Sequence, residues 1–143
     1  MQRMSIRCDW VMACQTVLVD RLSGKVSLVH LLEHLQVPQF PAEIGPLQVV
    51  AAWQHTVEMA GDARLRLELE EQGGESSVLA EEQVQFSGRA THRTICVIHA
   101  LRVQRPGTYR IVAKLQTDDG QWRPGSAHVF DVVGVAPPRQ AEA

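Results

Sequence analysis

The sequence predicts an all-β protein, a single antiparallel β-sandwich of about eight strands that is immunoglobulin-like or closely related. Turn-forming residues recur every 8 to 12 residues, and this spacing is typical of a sandwich or a barrel. Between the turns, apolar and polar residues alternate, as they do in a strand with one buried and one wet face. The clearest case is "RLRLELE", residues 64–70, in which three leucines face one way and the charged residues face the other.

In chain order, the segments between turns give eight strands and a last one near the end of the sequence. Two connections carry hairpin signals, Gly24-Lys25 and Asp119-Gly120, because such residues suit the positive φ of tight turns. The sandwich domain is predicted to span 1–134, and the polar, proline-rich residues 135–143 are predicted to form a disordered tail. The predicted strands are 4–12, 14–19, 25–32, 46–56, 63–71, 78–86, 93–104, 108–117 and roughly 126–133.

Residues 26–35 fit a helix as well as a strand, because their leucines recur at helical spacing. The β-branched Val26 and Val29 favour a strand, which is our prediction. The segment contains "HLLEH", which matches the zinc pattern H-x-x-E-H. His30 and His34 could share one zinc ion on a helix, where they lie about 6 Å apart. On a strand they lie roughly 13 Å apart, so no zinc site is predicted there.

Composition excludes several classes of partner. The chain has 143 residues, a net charge of -2 and 45% hydrophobic residues, which suits one self-sufficient domain. Its arginines are interleaved with glutamate and glutamine, so a nucleic-acid partner is disfavoured. No apolar run approaches the ~18 residues of a membrane span, and the start lacks the apolar region of a secretory signal.

Cysteine and arginine usage predict the cellular setting. The three cysteines are odd in number and widely spread, which indicates reduced thiols in a cytoplasmic protein. The chain has twelve arginines against two lysines and contains no asparagine, a bias that we attribute to a GC-rich, bacterial genome.

No catalytic motif is recognisable, so we predict neither an enzyme nor a cofactor. One alternative stays open, a jelly-roll type metal-binding protein or metalloenzyme whose histidines converge from neighbouring strands. For His99 we favour a core position, because it shares a strand face with several aliphatic residues. The candidate metal ligands for the alternative are His30, His34, His55, His99 and His128.

The stretch "TICVIHALRV" is apolar on both faces, whereas a sheet with one wet face alternates more cleanly. We take the face of Ile95 and Val97 as the inner one. Either the long segment 33–46 covers the outer face, or that face meets a protein partner, including a second copy of the chain. The candidate interface residues are Cys96, Ile98, Ala100, Val50 and Ala52.

A third class is a sandwich that binds a carbohydrate or another small ligand. Trp53 and Trp122 are the candidate stacking platforms. Trp122 lies in the polar stretch "DDGQWRPG", so we expect it to be the more exposed of the two.

Several motifs together resemble a group of small uncharacterised bacterial β-sandwich proteins over about residues 4–133. The resemblance implies a strand, not a helix, for "VSLVHLL", and it implies no activity. The sequence departs from the group's pattern at "HLLEH", where a less leucine-rich strand and bend is expected. The motifs that carry the resemblance are Cys8-Asp9, Gly24-Lys25, Val37-Pro38 with Phe40-Pro41, and Pro106-Gly107 with Tyr109.

These observations together predict a non-enzymatic binding or assembly module of a bacterial cytoplasmic system, acting through protein contacts. A fold alone assigns no function, so the prediction rests on the doubly apolar strand.

Overall fold

The computed structural model describes residues 6–55, 61–86 and 91–135. Within these ranges the regular structure is entirely β-strand, and no helix occurs that could cross a membrane. The strands are β1 (Ile6–Val19), β2 (Val26–Leu31), β3 (His34–Val37), β4 (Ala42–Ile44), β5 (Leu47–His55), β6 (Gly61–Glu71), β7 (Ser76–Phe86), β8 (Thr91–Ile98), β9 (Leu101–Val103), β10 (Gly107–Gln116) and β11 (Trp122–Gly134).

Two sheets form the sandwich. One has four strands in the order β2-β1-β5-β8, and the other has five in the order β3-β11-β10-β6-β7, while β4 and β9 form a separate pair. Side chains from both larger sheets share one hydrophobic core. The predicted all-β sandwich is therefore confirmed, with one departure, since β3 and β11 pair in parallel rather than antiparallel.

The core follows the predicted alternation. Leu65, Leu67 and Leu69 of "RLRLELE" are all buried, and they pack with Phe130 and Ile111 of the neighbouring strands. Each such side chain contributes about 1.5–3 kcal/mol when it leaves water. The period-two pattern thus places the inner face of the five-stranded sheet correctly.

Both predicted hairpins are confirmed, and an aspartate organises each of them. Asp20 Oδ1 accepts hydrogen bonds from the amides of Leu22 and Ser23 at 2.8 Å, and Gly24 takes a φ of 70°. In the second hairpin, Asp119 Oδ1 accepts from the Gln121 amide at 3.1 Å. These bonds satisfy amides that the turn leaves outside the strand ladder.

The β1–β2 hairpin bends over the outer face of the four-stranded sheet. Within β2, His30 takes a φ of 55°, an uncommon value for a residue other than glycine. The Val17 amide donates to Gln48 Oε1 at 2.5 Å, and the Arg93 guanidinium lies 3.5 Å from the Gly24 carbonyl oxygen. Gln48 and Arg93 both lie on the outer face, so this hairpin covers that face, whereas Gly45, in the segment 33–46 that was predicted to cover it, packs against residues 98–99 at the end of β8.

Segment 33–46 lies elsewhere and contains two strands that the sequence did not predict. Gly45 packs so closely against residues 98–99 that a side-chain Cβ there would lie 2.5 Å from the His99 carbonyl oxygen. The predicted strand 93–104 is interrupted at this point into β8 and β9. By contrast, the predicted strands 4–12 and 14–19 form the single strand β1.

Tyr109 links the start of β10 to the preceding turn. Its hydroxyl donates to the Arg105 carbonyl oxygen at 2.6 Å, four residues upstream. This contact resembles the tyrosine corner of immunoglobulin domains. One contact does not assign the class, so the immunoglobulin-like relationship stays a prediction.

The predicted domain boundary falls near the end of the described chain. The Val135 amide donates to the Val37 carbonyl oxygen at 2.9 Å, so main-chain pairing continues one residue past the predicted boundary. The rest of the predicted tail, 136–143, and the first five residues lie outside the described residues.

Candidate functional site

A cleft of about 290 Å³ opens between β7 and β8, along one side of the sandwich. In the part of the chain that the structure describes, β8 pairs only with β5, and β7 only with β6. The two sheets therefore present unpaired edges on either side of the cleft. Its walls are formed by Trp53, Leu65, Arg66, Leu67, Ala80, Glu81, Glu82, Thr94, Ile95, Cys96 and Val97.

A chain of polar contacts crosses this cleft. Trp53 Nε1–H donates to Thr94 Oγ1 at 3.1 Å, and the Thr94 hydroxyl donates in turn to Glu82 Oε1. His92 Nε2 lies 3.2 Å from the same carboxylate oxygen. Glu82 extends from β7 and its partners lie on β8, so these contacts hold its carboxylate across the gap between the sheets.

Glu82 was not among the candidate site residues predicted from the sequence. The structure places it on the inner side of β7, in alternation with the buried Val84 and Phe86. Two consecutive glutamates in a strand must point to opposite faces. That alternation was the signal that could have identified Glu82 as the inward one.

The faces of β8 are reversed relative to the prediction. Ile95 and Val97, expected inside, are 42% and 50% exposed, whereas Ile98 belongs to the core. The interruption at residues 99–100 explains the error, because a change of face between β8 and β9 lets Leu101 be buried without burying Ile95.

The predicted interface residues therefore do not form one continuous surface. Cys96 lines the cleft, and Ala100 is exposed beyond the end of β8. Val50 is fully buried at the centre of the outer face of its sheet, beside the half-buried Ala52. Since Val50 and Ile98 are both inaccessible, the prediction that they contact a partner is wrong.

The tryptophans differ in their accessibility. Trp53 is only 2% exposed and is occupied by its bond to Thr94, so the prediction that it stacks on a sugar is wrong. Trp122 is half-buried, and the Arg66 guanidinium lies over its ring at 3.9 Å from the centroid. A sugar on that ring face would displace a cation–π contact. The role of Trp122 as a stacking platform stays a prediction.

The two histidines of "HLLEH" lie in different sheets. His30 is an exposed residue of β2, and His34 is an exposed residue at the start of β3. The helical alternative for residues 26–35 is wrong, and the strand prediction is confirmed.

The remaining candidate ligands are also dispersed. His55 packs edge-on against Phe86 with ring centroids 4.5 Å apart, and His128 Nε2 lies 2.5 Å from the Leu32 carbonyl oxygen. His99 is exposed, so its predicted core position is wrong. Over residues 6–55, 61–86 and 91–135, no three His, Cys, Asp or Glu side chains gather closely enough to hold a metal ion.

All three cysteines are free thiols. Burial raises the pKa of Cys8 and Cys14. Burial, and next the charge of Glu82, raises the pKa of Cys96 in the cleft. A raised thiol pKa lowers the thiolate fraction, so Cys96 is not activated as a nucleophile.

Residues 9–123 match a protein family described as a family of unknown function (DUF6941). The chain belongs to this family. The match covers most of the sandwich, including β7, β8 and the cleft between them. It agrees with the uncharacterised group that the sequence resembles and assigns no activity. No curated protein matches the sequence.

The DUF6941 chain is also similar to parts of two solved β-glucosidases. One is the enzyme from Listeria innocua in complex with glucose, at 11% identity and a TM-score of 0.49, over 94% of this chain and 16% of that enzyme. The other is the enzyme from Erythrobacter marinus, at 10% identity and a TM-score of 0.51, over 91% and 16%. The second likeness extends to the fold alone, and the chain spans about a sixth of either enzyme.

Proposed function

We propose that the protein is a non-enzymatic binding or assembly module that recognises an extended segment of a protein partner at the edge of β8. The observation that carries the proposal is the apolar edge itself, where Ile95 and Val97 are exposed on a strand with one described neighbour. An edge strand presents unpaired N–H and C=O groups, and an added strand gains main-chain hydrogen bonds from them. Alternate side chains of that strand would enter the cleft.

The order of the hydrogen-bonding groups in the series Trp53–Thr94–Glu82–His92 favours binding over catalysis. In a nucleophilic triad, an imidazole lies between the hydroxyl and the carboxylate and takes the proton. Here the carboxylate of Glu82 lies in the middle, bonded to the Thr94 hydroxyl on one side and His92 on the other. Thr94 is also only 9% exposed and accepts from Trp53, which suits a structural hydroxyl.

The proposed setting is the bacterial cytoplasm. Three free cysteines, each with a thiol pKa raised by burial, support a reducing compartment. The proposed partner is a protein and not a nucleic acid or a membrane. A second copy of the chain offers the same edge, so antiparallel pairing of two β8 strands about a two-fold axis is one form of this association.

The test uses two exposed valines on strands with different neighbours. Val97 lies on the edge strand β8 and is 50% exposed, while Val129 is 53% exposed on β11, which lies between β3 and β10. We expect wild type either to dimerise in sedimentation experiments or to bind the peptide Thr-Val-Thr-Val-Thr-Val-Thr, with amide NMR shifts centred on β8.

Val97→Lys should abolish that association, because a lysine on an edge opposes strand addition, while Val129→Lys should leave it intact. Two results would contradict the proposal. One is a wild-type monomer whose β8 resonances do not respond to the peptide. The other is equal association by both lysine variants.

A further inference from the structure

The cleft beneath the β8 edge carries a negative charge in apolar surroundings. Leu65, Leu67 and Ala80 form one wall, and Cys96 lies opposite them. Glu82 is the carboxylate that the polar chain fixes across this space. Its side chain is 36% exposed, so a cation that enters the cleft can reach this carboxylate, and the attraction between them is stronger beside apolar walls than in bulk water.

Glu82 has unused capacity to accept hydrogen bonds. Both of its described contacts, from Thr94 and His92, are to Oε1. Among the described residues no group donates to Oε2, although a carboxylate can accept several bonds through its two oxygens.

The cation that also lines the cleft is already engaged elsewhere. The Arg66 guanidinium binds Glu81, with Nε at 2.8 Å from Oε1, and it lies over the ring of Trp122. Its third contact is Glu68 Oε2 at 3.8 Å. These partners lie on the outer face of the five-stranded sheet, so Arg66 does not neutralise Glu82.

We propose that the cleft binds an organic cation, with an ammonium or guanidinium group at Glu82 Oε2 and an aliphatic stem against Leu65, Leu67 and Ala80. The inference rests on the proposed function in one respect, since a lysine or arginine of the added strand is one source of this cation. A free alkylamine is the other source. A cleft of about 290 Å³ accommodates one long side chain or one small amine. Lysine and arginine bury their methylene stems in this way while the charged end keeps its polar partner.

The experiment compares four peptides of sequence Thr-Val-Thr-Xaa-Thr-Val-Thr, in which Xaa is Lys, Arg, norleucine or Glu. In this pattern the central residue shares a face with the two valines. We expect the Lys and Arg peptides to bind wild type about 10- to 100-fold more tightly than the norleucine peptide, since a hydrogen bond to a charged group contributes that much. The titration is followed through the Trp53 indole N–H resonance and the β8 amides.

Glu82→Gln removes the charge and keeps the size of the side chain, so the preference for Lys and Arg should disappear. Glu43→Gln makes the same charge change at an exposed position of β4 and should leave the preference unchanged. Thermal unfolding of both variants verifies that each is folded.

The outcomes separate the two proposals. If all four peptides bind equally at β8, the strand-binding function stands and the cation site is wrong. If no peptide binds but n-butylamine or agmatine shifts the Trp53 resonance in wild type and not in Glu82→Gln, the cation site stands and the strand-binding function is wrong. If neither peptides nor amines bind, both proposals are overturned.

Discussion

The outer faces of the two sheets are built from opposite chemistry, although both sheets share one core. At the centre of the four-stranded sheet lies Val50, fully buried between Met12 of β1 and Ile95 of β8. At the centre of the five-stranded sheet lies Glu68, which is only 6% exposed. Each face therefore buries side chains away from the core, and on the five-stranded sheet the buried Val112 lies beside Glu68. The two central residues, Val50 and Glu68, are buried by different means.

The chain's own β1–β2 hairpin shields the apolar face. It contacts Gln48 and Arg93, two residues of that face. The charged face needs no cover, because Glu68 binds Lys114 Nζ at 3.2 Å and lies 3.8 Å from Arg66. The hairpin reaches β8 at Arg93 but leaves Ile95 and Val97, further along that strand, 42% and 50% exposed. There Ile95 and Val97 have neither an ionic partner nor a full cover, which is why the binding proposal is placed there.

The largest loss of stability is expected when Glu68, at the centre of the charged face, is replaced. Glu68→Ala removes the more buried of the two carboxylates that bind Lys114, whose side chain is only 16% exposed, and leaves it with Glu70 at 3.3 Å. Removing one partner of a buried pair costs about 3 kcal/mol in the free energy of unfolding at the low end of the range, which applies here because Glu70 still compensates part of the Lys114 charge. Urea denaturation measures this. Glu43→Ala on β4 should stay within about 0.5 kcal/mol of wild type, and an equal loss in both variants would contradict the central role of Glu68.

A smaller loss is expected at the centre of the apolar face. Val50→Ala removes two buried methyl groups and leaves a cavity, which together cost about 2 kcal/mol. The matched change Val129→Ala, at a 53% exposed site, should cost under about 0.5 kcal/mol. If Val50→Ala were as mild as Val129→Ala in the same denaturation experiment, the hairpin would not be shielding Val50.

The smallest effect on stability is expected from the aspartates of the two hairpins, Asp20 in the four-stranded sheet and Asp119 in the five-stranded sheet. Hydrogen bonds from the Ser23 and Leu22 amides lower the pKa of Asp20, and bonds from Thr117 and Gln121 lower that of Asp119. A lowered pKa in the folded state means that each carboxylate stabilises the fold above the ordinary carboxyl pKa near 4. This contribution is lost as the pH falls through the folded-state value.

Urea midpoints between pH 2 and pH 6 test this expectation. Asp20→Asn and Asp119→Asn should each flatten the fall in stability on acidification. Asparagine keeps the acceptor oxygen, so the cover is tested with Asp20→Ala and Asp119→Ala; because the Asp20 hairpin covers Val50, Asp20→Ala alone should increase exchange of the amide hydrogens around Val50. Equal exchange in the two alanine variants would contradict the proposed shielding.

Local sequence was sufficient to predict the inner face of β6 and the two hairpins. "RLRLELE" places its leucines inside because a strand's side chains alternate whatever its neighbours are. Asp20 and Asp119 form their turns with residues two or three positions away, so these contacts are encoded locally. The strand assignment of residues 26–35 followed from β-branched residues in the same way.

The errors arose where distant segments decide the structure. The faces of β8 depend on the break at residues 99–100, where Gly45 from another part of the chain packs against the His99 carbonyl. The cover over Val50 depends on contacts between the β1–β2 hairpin and Gln48 and Arg93, which lie far from it in the sequence. The site was therefore predicted only in part, since Trp53 and Cys96 line the cleft but its charged group, Glu82, was not expected there.

The parallel pairing of β3 with β11 has a consequence for how the chain is made. His34 is synthesised early, yet its partner Asp131 belongs to the last strand, which also forms the other half of the pairing with β10. During synthesis on the ribosome, β3 therefore stays without its partner until β11 has been made, and only then can the five-stranded sheet form. Contacts between such distant positions slow folding and prolong the exposure of unpaired edges. A nascent chain that stalls before β11 would hold β3 and β10 without their shared partner, so two strand edges would be open to pairing with other chains.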